Sequence, residues 1–236
     1  MAVQPLIIIG AGGFARETIE LVRSVNADGG DWELRGVLDD DPALGGEHVS
    51  GIPVLGPVDS VDDHGDASVV VCVGNPANFV SRALLVDRLD LPPDRYASLV
   101  HPSAVVPPTA SVGPGSVVHA MTVFTTDVRV GAHVAVMPAV VLTHDVVVGD
   151  FVTFGAGVRL AGGVEIGCGA YLGSGAVIRE QVVIGPWSLV GAGSVVTRPV
   201  PAGEVWVGNP ARYLRGVERV GDLDRRLGDR GRPNPA

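Results

Sequence analysis

The adjacent pair His144 and Asp145 has the clearest capacity for chemistry in this sequence. A histidine side chain has an ordinary pKa of about 6.5, so near pH 7 it is mostly neutral and can accept a proton from a reacting group. A neighbouring carboxylate raises that basicity and holds the imidazole in one tautomer. Consecutive side chains of an extended strand point to opposite faces, so Asp145 can reach His144 only where the chain turns.

A glycine-rich turn near the N-terminus is a second candidate site. The apolar segment 6–9 is followed by the sequence GAGGFA at 10–15 and by the segment 16–25, which mixes apolar and charged residues as an amphipathic helix does. This order predicts a strand, a tight turn and a helix whose first N–H groups can bind a phosphate. The spacing G-x-G-x-x-A also matches the dinucleotide fingerprint, although a turn without a ligand fits the same glycines.

Polar residues and glycine follow two further predicted strands of the N-terminal third. Asp39 and Asp40 follow the segment 33–38, and Gly74 follows the segment 68–73. The carboxyl ends of parallel strands meet at one edge of a sheet, where open α/β sheets bind their ligands. The roughly 95 residues available allow only three or four strands, too few for a full dinucleotide-binding sheet. We therefore expect a small Rossmann-like α/β domain that binds a nucleotide monophosphate-sized ligand or a nucleotide sugar.

A six-residue repeat fills most of the remaining chain. Large apolar residues recur at every sixth position from 112 to 196 with no insertion, and the earlier positions 100 and 106 fit the same frame. The residue four positions after each of them is mostly Val, Ala or Ser. Short strands separated by turns, each with one apolar side chain pointing inward, have this period. We predict a parallel β-helix of about five coils, with the inward residues Val112, Val118, Phe124, Val130, Val136, Leu142, Val148, Phe154, Leu160, Ile166, Leu172, Ile178, Ile184, Val190 and Val196.

The composition restricts the partners and the compartment. The net charge of −9 and the isoelectric point of about 5.0 argue against a nucleic-acid or anionic membrane surface, because both require a basic field. The N-terminal apolar run stops at Gly10, too early for a membrane span, and no basic segment precedes it as in a signal peptide. Cys72 and Cys168 are far apart, so neither a disulfide framework nor a thiolate metal site is expected. We expect a cytoplasmic protein with small-molecule partners and no metal.

Six short motifs outside and within the repeat are shared by one family. They are IIIGAGGFARE at the start, LDDD at 38–41, VGNP at 73–76, HPSA at 101–104, LTHD at 142–145 and VGNPAR at 207–212. The repeat resembles the hexapeptide-repeat acyltransferases, and the whole set is similar to bacterial sugar acyltransferases that acetylate nucleotide-linked 4-amino sugars and to their relatives in sialic acid metabolism. This resemblance extends from 6 to 215 and implies a left-handed β-helix that binds acetyl-CoA, an N-terminal domain that binds the nucleotide sugar, and a homotrimer with active sites between subunits.

The resemblance also implies roles for single residues. His144 matches the catalytic histidine, which accepts a proton from the amine, and Asp145 matches an acidic residue that is Glu in close relatives. Thr153 stands where some members have a second histidine near the thioester. The residues expected to bind the nucleotide sugar are Gly12, Gly13, Phe14, Asp39, Asp40 and Gly74, with the two aspartates on the base or ribose. Those expected to bind acetyl-CoA are Thr153, Ser174 and Ala192.

The resemblance therefore implies an N-acetyltransferase for a UDP- or dTDP-linked 4-amino-4,6-dideoxyhexose, with acetyl-CoA as co-substrate and no permanently bound cofactor. A sugar O-acetyltransferase of the sialic acid type, a non-catalytic sugar-nucleotide-binding or scaffold protein, and an NAD-dependent oxidoreductase are alternatives. A zinc enzyme on the same β-helix would need three histidines, for which His119, His133 and His144 are available. His119 and His133 are otherwise expected to have no role in the site, or to line the same groove between subunits.

The predicted domain organisation has three parts. Residues 1–98 form the Rossmann-like domain that binds the nucleotide sugar, residues 99–209 form the left-handed parallel β-helix, and residues 210–236 form a closing segment followed by a tail. Beyond Gly216 the sequence alternates Arg and Asp with Gly and Pro, a composition typical of disorder.

Overall fold

The computed structural model of the chain describes residues 3–217. The predicted disordered tail therefore lies outside the described residues, apart from Val217. The N-terminal part contains five strands and two α-helices, in the order β1 (Gln4–Ile9), α1 (Gly13–Ala27), β2 (Trp32–Leu38), β3 (His48–Val49), β4 (Ile52–Gly56), β5 (Ser68–Val71) and α2 (Ser81–Leu89), with short 3-10 helices at Pro42–Leu44, Val58–His64 and Pro93–Arg95.

These strands form one sheet in the order β3-β4-β2-β1-β5. Strands β1, β2, β4 and β5 are parallel, and β3 forms an antiparallel hairpin with β4. Side chains of β1 alternate, so that Leu6 and Ile8 pack with α1 whereas Ile7 and Ile9 pack on the opposite side, towards α2. The sheet has five strands, and the prediction of three or four was wrong, because the hairpin at 48–56 adds a strand at the edge.

The rest of the described chain consists almost entirely of two-residue strands separated by four-residue turns. They are β6 (Leu99–Val100), β7 (Ser111–Val112), β8 (Val117–Val118), β9 (Val123–Phe124), β10 (Arg129–Val130), β11 (Ala135–Val136), β12 (Val141–Leu142), β13 (Val147–Val148), β14 (Thr153–Phe154), β15 (Arg159–Leu160), β16 (Glu165–Ile166), β17 (Tyr171–Leu172), β18 (Val177–Ile178), β19 (Val183–Ile184), β20 (Leu189–Val190) and β21 (Val195–Val196), followed by β22 (Glu204–Gly208) and β23 (Ala211–Gly216).

From β7 to β18, each strand pairs in parallel with the strand three places further on, eighteen residues along the chain. Three flat faces result. Face 1 contains β8, β11, β14, β17 and β20, face 2 contains β9, β12, β15, β18 and β21, and face 3 contains β7, β10, β13, β16 and β19. The fifteen strands from β7 to β21 make five coils, as the repeat predicts. The predicted fold, a small Rossmann-like domain followed by a left-handed parallel β-helix, is confirmed.

The six-residue repeat forms the core of the β-helix. Every predicted inward residue from Val118 to Val196 is at most 4% exposed. The positions four residues later are also buried, among them Val128, Val146 and Ser194. These two ladders fill the interior along its whole length.

The N-terminal domain covers face 1. Phe79 lies against Tyr171 of β17 with ring centroids 5.9 Å apart. Tyr96 meets the imidazole of His133 edge-on at 4.5 Å, and that imidazole stacks on Phe151 at 5.1 Å. Phe79 and Tyr96 of the N-terminal domain therefore hold the two parts of the chain together through contacts with Tyr171 and His133.

The structure buries His119 and His133, which agrees with the expectation that they have no role in the site and contradicts the alternative that they line the groove between subunits. The His119 imidazole lies 6.1 Å from the Phe14 ring, and the two histidines are only 4% and 6% exposed. They point away from the inward ladders, as the repeat indicates, but the N-terminal domain buries them. Neither histidine is accessible in this arrangement.

The last two strands close the β-helix. Strand β22 continues face 1 by pairing in parallel with β20, and β23 turns back antiparallel to β22. Trp206 of β22 is 8% exposed and packs on the end of the core. In the described part of the chain, no helix is long and apolar enough to cross a membrane.

Candidate functional site

His144 and Asp145 lie at a corner of the β-helix, in the turn between β12 of face 2 and β13 of face 3. Asp145 has a φ of 60°, in the left-handed region, and this backbone turn brings two consecutive side chains to the same side. The His144 Nδ1 atom is 2.8 Å from an Asp145 carboxylate oxygen. An Nδ1–H group that donates this hydrogen bond leaves Nε2 with a free lone pair.

The pair is open to the outside of the single chain. The His144 side chain is 63% exposed and the Asp145 side chain 67%. One coil further on, Gly162 occupies the same corner, and a Cβ atom there would overlap the Cε1 and Nε2 atoms of the His144 imidazole. The edge of the imidazole that carries Cε1 and Nε2 therefore lies against Gly162, where any side chain would displace it.

The glycine-rich turn lies where β1 ends. Helix α1 begins at Gly13 with Gly12 as its N-cap, and no side chain caps the helix. The Asp39 carboxylate accepts hydrogen bonds from the Ala11 N–H at 2.7 Å and from the Asp41 N–H at 2.9 Å. Asp39 thus joins the ends of β1 and β2, and leaves the N–H groups at the start of α1 available to an anion.

Asp40 points to a different set of partners. Its carboxylate lies 2.6 Å from Arg88 of α2 and accepts a hydrogen bond from the Val58 N–H at 3.0 Å. The hydrogen bond from Arg88 lowers the pKa of Asp40. The expected contact of Asp40 with a base or ribose would therefore have to compete with Arg88.

Gly74 and Phe14 border the same edge of the sheet. Gly74 has a φ of 138°, and a Cβ atom there would lie 3.5 Å from Nη1 of Arg82. Phe14 packs on His119 of the β-helix. The edge that carries the glycine-rich turn therefore also faces the β-helix, with Phe14 and Gly74 between the two.

The three residues expected to bind acetyl-CoA occupy two different places. Ser174 and Ala192 lie one above the other at the corner between faces 1 and 2, where the Gly193 N–H donates to the Ser174 carbonyl at 2.9 Å. Thr153 lies on face 1, and its hydroxyl accepts a hydrogen bond from Arg82 at 2.7 Å. The structure therefore gives Thr153 a partner in the N-terminal domain and does not bring it to Ser174.

Within one chain the predicted site residues form two separated groups. The glycine-rich turn and Thr153 lie on the side of face 1, and Ser174 lies at its border with face 2. His144 lies at the opposite corner, between faces 2 and 3. A single chain therefore does not place the nucleotide-binding turn and the candidate base in one site.

Three histidines of the β-helix were candidates for a zinc site, and the structure separates them. His119 is at the end of face 1, His133 is at the corner between faces 3 and 1, and His144 is at the corner between faces 2 and 3. Burial lowers the pKa of both His119 and His133 to about 4. Among residues 3–217, no three His, Cys, Asp or Glu side chains are grouped as metal ligands.

Two residues of these sites were not identified from the sequence. Arg82 is 2% exposed and links α2 to face 1, although in the sequence it is an ordinary charge in a helix. Gly162 supports the His144 imidazole. Its position eighteen residues after His144, which is one full coil, was a signal that could have identified it.

Comparison with protein families gives two matches. The PglD N-terminal domain family matches residues 5–84, and the bacterial transferase hexapeptide family (six repeats) matches residues 163–198. A comparison with curated protein sequences finds no match.

Solved structures resemble nearly the whole chain. The acetyltransferase domain of PglB from Neisseria gonorrhoeae FA1090, in complex with acetyl coenzyme A, is 29% identical with a TM-score of 0.80, and the match covers 90% of this chain and 100% of that one. PerB from Caulobacter crescentus, in complex with CoA and GDP-perosamine, is 32% identical with a TM-score of 0.77, covering 90% and 98%. WeeI from Acinetobacter baumannii AYE is 30% identical with a TM-score of 0.76, covering 90% and 100%.

These likenesses agree with the resemblance seen in the sequence motifs. The matched relatives include PerB, at more than 30% identity and almost full coverage. The chain therefore belongs to the hexapeptide-repeat family of bacterial sugar acetyltransferases, enzymes that use acetyl-CoA as co-substrate.

Proposed function

We propose that this enzyme acetylates the amine of a nucleotide-linked 4-amino sugar, with His144 as general base and Asp145 as its orienting partner. The observation that supports this most is the hydrogen-bonded pair at an exposed corner of the β-helix, with 2.8 Å between Nδ1 and the carboxylate. A relative of known structure, PerB, was solved with CoA and GDP-perosamine. The amine of such a sugar needs a base, because an ammonium group has no lone pair with which to attack.

The proposed reaction uses Nε2 of His144 twice. The sugar amine attacks the thioester carbonyl carbon, a C–N bond forms, and Nε2 accepts a proton from the attacking nitrogen. The tetrahedral intermediate then expels the sulfur of CoA, and the imidazolium returns that proton to the thiolate. The products are the N-acetylated sugar nucleotide and CoA with a free thiol. The Asp145 carboxylate stabilises the imidazolium between the two transfers.

The N-terminal domain is the proposed site of the nucleotide. Gly12 and Gly13 leave room for a close approach, and the first N–H groups of α1 favour a phosphate oxygen. Asp39 fixes the turn through the Ala11 N–H. We place the diphosphate on this turn and the sugar beyond Phe14 and Gly74, towards the β-helix.

The active site is proposed to form between subunits of a homotrimer. The nucleotide-binding turn is on the side of face 1, whereas His144 is at the corner opposite that face, so a second copy must complete the site. Face 2 supports this assembly, because five of its six outward residues are valines that remain partly or largely exposed in one chain. An apolar surface of this kind is typical of subunit contacts. The outward residues are Val105, Val123, Val141, Arg159, Val177 and Val195.

Thiol release tests the proposal directly. The protein is incubated with acetyl-CoA and with GDP-, UDP- and dTDP-linked 4-amino sugars, and free CoA is followed with a thiol reagent. We expect release with at least one amino sugar nucleotide and none with the matching 4-hydroxy sugar. Release only with the hydroxy sugar would make the enzyme an O-acetyltransferase, and no release across the whole panel would reject the proposal. The matched hydroxy sugars control for slow hydrolysis of the thioester.

A further inference from the structure

Arg82 is a buried cation with an unusual set of partners. Its Nη1 donates to the Val73 carbonyl at 3.2 Å, at the end of β5 in the N-terminal domain. Its Nη2 lies 2.9 Å and 3.1 Å from the carbonyl oxygens of Phe151 and Val152 and 2.7 Å from the hydroxyl of Thr153, all in the β-helix. One guanidinium thus joins the loop that carries Gly74 to a single coil of the β-helix.

Arg82 is buried without a charged partner. The side chain is 2% exposed, and within residues 3–217 no carboxylate forms an ion pair with it. It also lies in the first turn of α2, where the helix dipole disfavours a cation. Burial lowers the pKa of Arg82 to about 10, so the group still carries its charge at pH 7. Burying a charge without a counter-ion is costly, and this cost offsets stabilisation from the hydrogen bonds that Arg82 donates to buried oxygens.

The contacts of Arg82 attach the proposed sugar-nucleotide pocket to the β-helix. Val73 precedes Gly74, which borders the proposed sugar-nucleotide pocket. Phe151 and Thr153 lie on the side of face 1, the face that the N-terminal domain covers. Arginine suits such a bridge, because its planar fork can donate to several oxygens at once in fixed directions.

We propose that Arg82 is a positioning residue, which holds the sugar-nucleotide pocket in a fixed place on the β-helix so that the sugar amine reaches His144 of the neighbouring subunit. This inference rests on the proposed function. Arg82 touches neither substrate, and it acts through the loop at Val73 and Gly74. A misplacement of about 1 Å can lower a rate by about 100-fold, so a rigid link between the two domains is worth the cost of a buried charge.

Two substitutions of Arg82 separate positioning from stability. Arg82→Lys keeps the charge but loses the fork, and Arg82→Met keeps the length but loses both. We expect both variants to lower kcat by about 10- to 100-fold per folded trimer, while the KM for acetyl-CoA and the Kd of the sugar nucleotide change less than about threefold. Arg23→Met is the matched control, because Arg23 is an exposed arginine of α1 paired with Glu20.

The melting temperatures of the variants and the wild-type protein distinguish the positioning role of Arg82 from a purely structural one. We expect Arg82→Met to melt within a few degrees of the wild-type protein, or above it, and still to lose activity. If both variants retain the wild-type kcat per folded trimer, Arg82 is structural only and the proposal is wrong. The same holds if Arg82→Met loses activity only in proportion to its unfolded fraction.

Hydrogen exchange tests the link without any substrate. We expect the amides of 73–78 and of 151–153 to exchange faster in Arg82→Lys, whereas those in the middle of α1 keep the wild-type rate. Unchanged exchange in both segments would overturn the proposal. This measurement is independent of the thiol assay, so a wild-type protein that releases no thiol rejects the proposed function but leaves the role of Arg82 in domain positioning to be decided by exchange.

Discussion

Two histidines of the β-helix, His133 and His144, illustrate how one fold makes different use of the same side chain. Both lie in turns of the repeat, in positions that point away from the inward ladders. His133 is 6% exposed, stacked on Phe151 and covered by Tyr96, and its Nδ1 has no hydrogen-bond partner in the described structure. His144 is 63% exposed and its Nδ1 is hydrogen-bonded to Asp145.

The difference arises from the face that each corner borders. The N-terminal domain covers face 1, and it buries His133 in a mostly apolar contact. The corner between faces 2 and 3 stays free in the single chain, so that His144 can meet a substrate or a second subunit. The comparison shows that a position in a turn of the repeat is not sufficient to make a histidine available for catalysis. A free corner and an orienting carboxylate are needed as well.

The sharpest test of this comparison is the removal of the exposed imidazole. We expect His144→Asn to lower kcat for thiol release by about 100- to 10,000-fold, because a general base typically contributes that much. The variant should keep the wild-type melting temperature and the wild-type Kd for the sugar nucleotide, since the side chain has no buried contacts. His48→Asn, at an exposed histidine of β3, is the matched control. A His144→Asn variant with more than about a tenth of the wild-type kcat would exclude His144 as the base.

Much of the fold could be predicted from the sequence, because the repeat places a large apolar residue at every sixth position. Every inward position from Val118 onwards is buried as predicted. The hairpin of β3 and β4 was missed, because its apolar run at 52–55 is only four residues long and contains Pro53, which argues against a strand inside a sheet. Periodicity reports only which side of a coil a residue occupies, and the burial of His133 depends on another domain that covers that side.

The candidate site was predictable only in part, for a similar reason. The frame permits His144 and Asp145 to meet at a turn, and the positive φ of Asp145, which the spacing does not give, brings the two side chains together. Asp40 forms an ion pair with Arg88, and Arg82 donates hydrogen bonds to the β-helix. Both contacts join residues that are far apart in the sequence. No local pattern marks such contacts, and they appear only when the helices are placed on the sheet.

The second prediction concerns His133, the buried histidine of the comparison. Burial holds the pKa of His133 at about 4, below the ordinary value of about 6.5 for an unfolded chain. Between those values the unfolded state binds a proton that the folded state does not, so stability is complete above about pH 6.5 and falls as the pH is lowered towards 4. His119 has the same shift. Each histidine contributes a loss of about 3 kcal/mol over this range.

The substitution His133→Phe removes the titrating group but keeps a ring between Tyr96 and Phe151. Phe151 itself has a φ of 61°, close to the 55° of His133, so the backbone at such a corner accepts this residue type. We expect the free energy of unfolding, measured with urea from pH 7 to pH 4.5, to fall by about 2 kcal/mol less in the variant than in the wild-type protein. Equal losses in the two proteins would show that His133 is not buried in its neutral form.

The last and smallest expected effect concerns Gly162, which lies against the exposed imidazole of His144. A methyl group at Gly162 would overlap the edge of the His144 imidazole that carries Nε2, whereas the backbone there does not require glycine. We expect Gly162→Ala to lower kcat by about tenfold and to leave the melting temperature unchanged, because the ring must tilt away from its hydrogen bond with Asp145. Gly65→Ala is the control, since its added Cβ would make only ordinary contact with the Asp62 carbonyl, at 3.7 Å. If kcat is unaffected, the imidazole does not need this support, and the orientation of His144 depends on Asp145 alone.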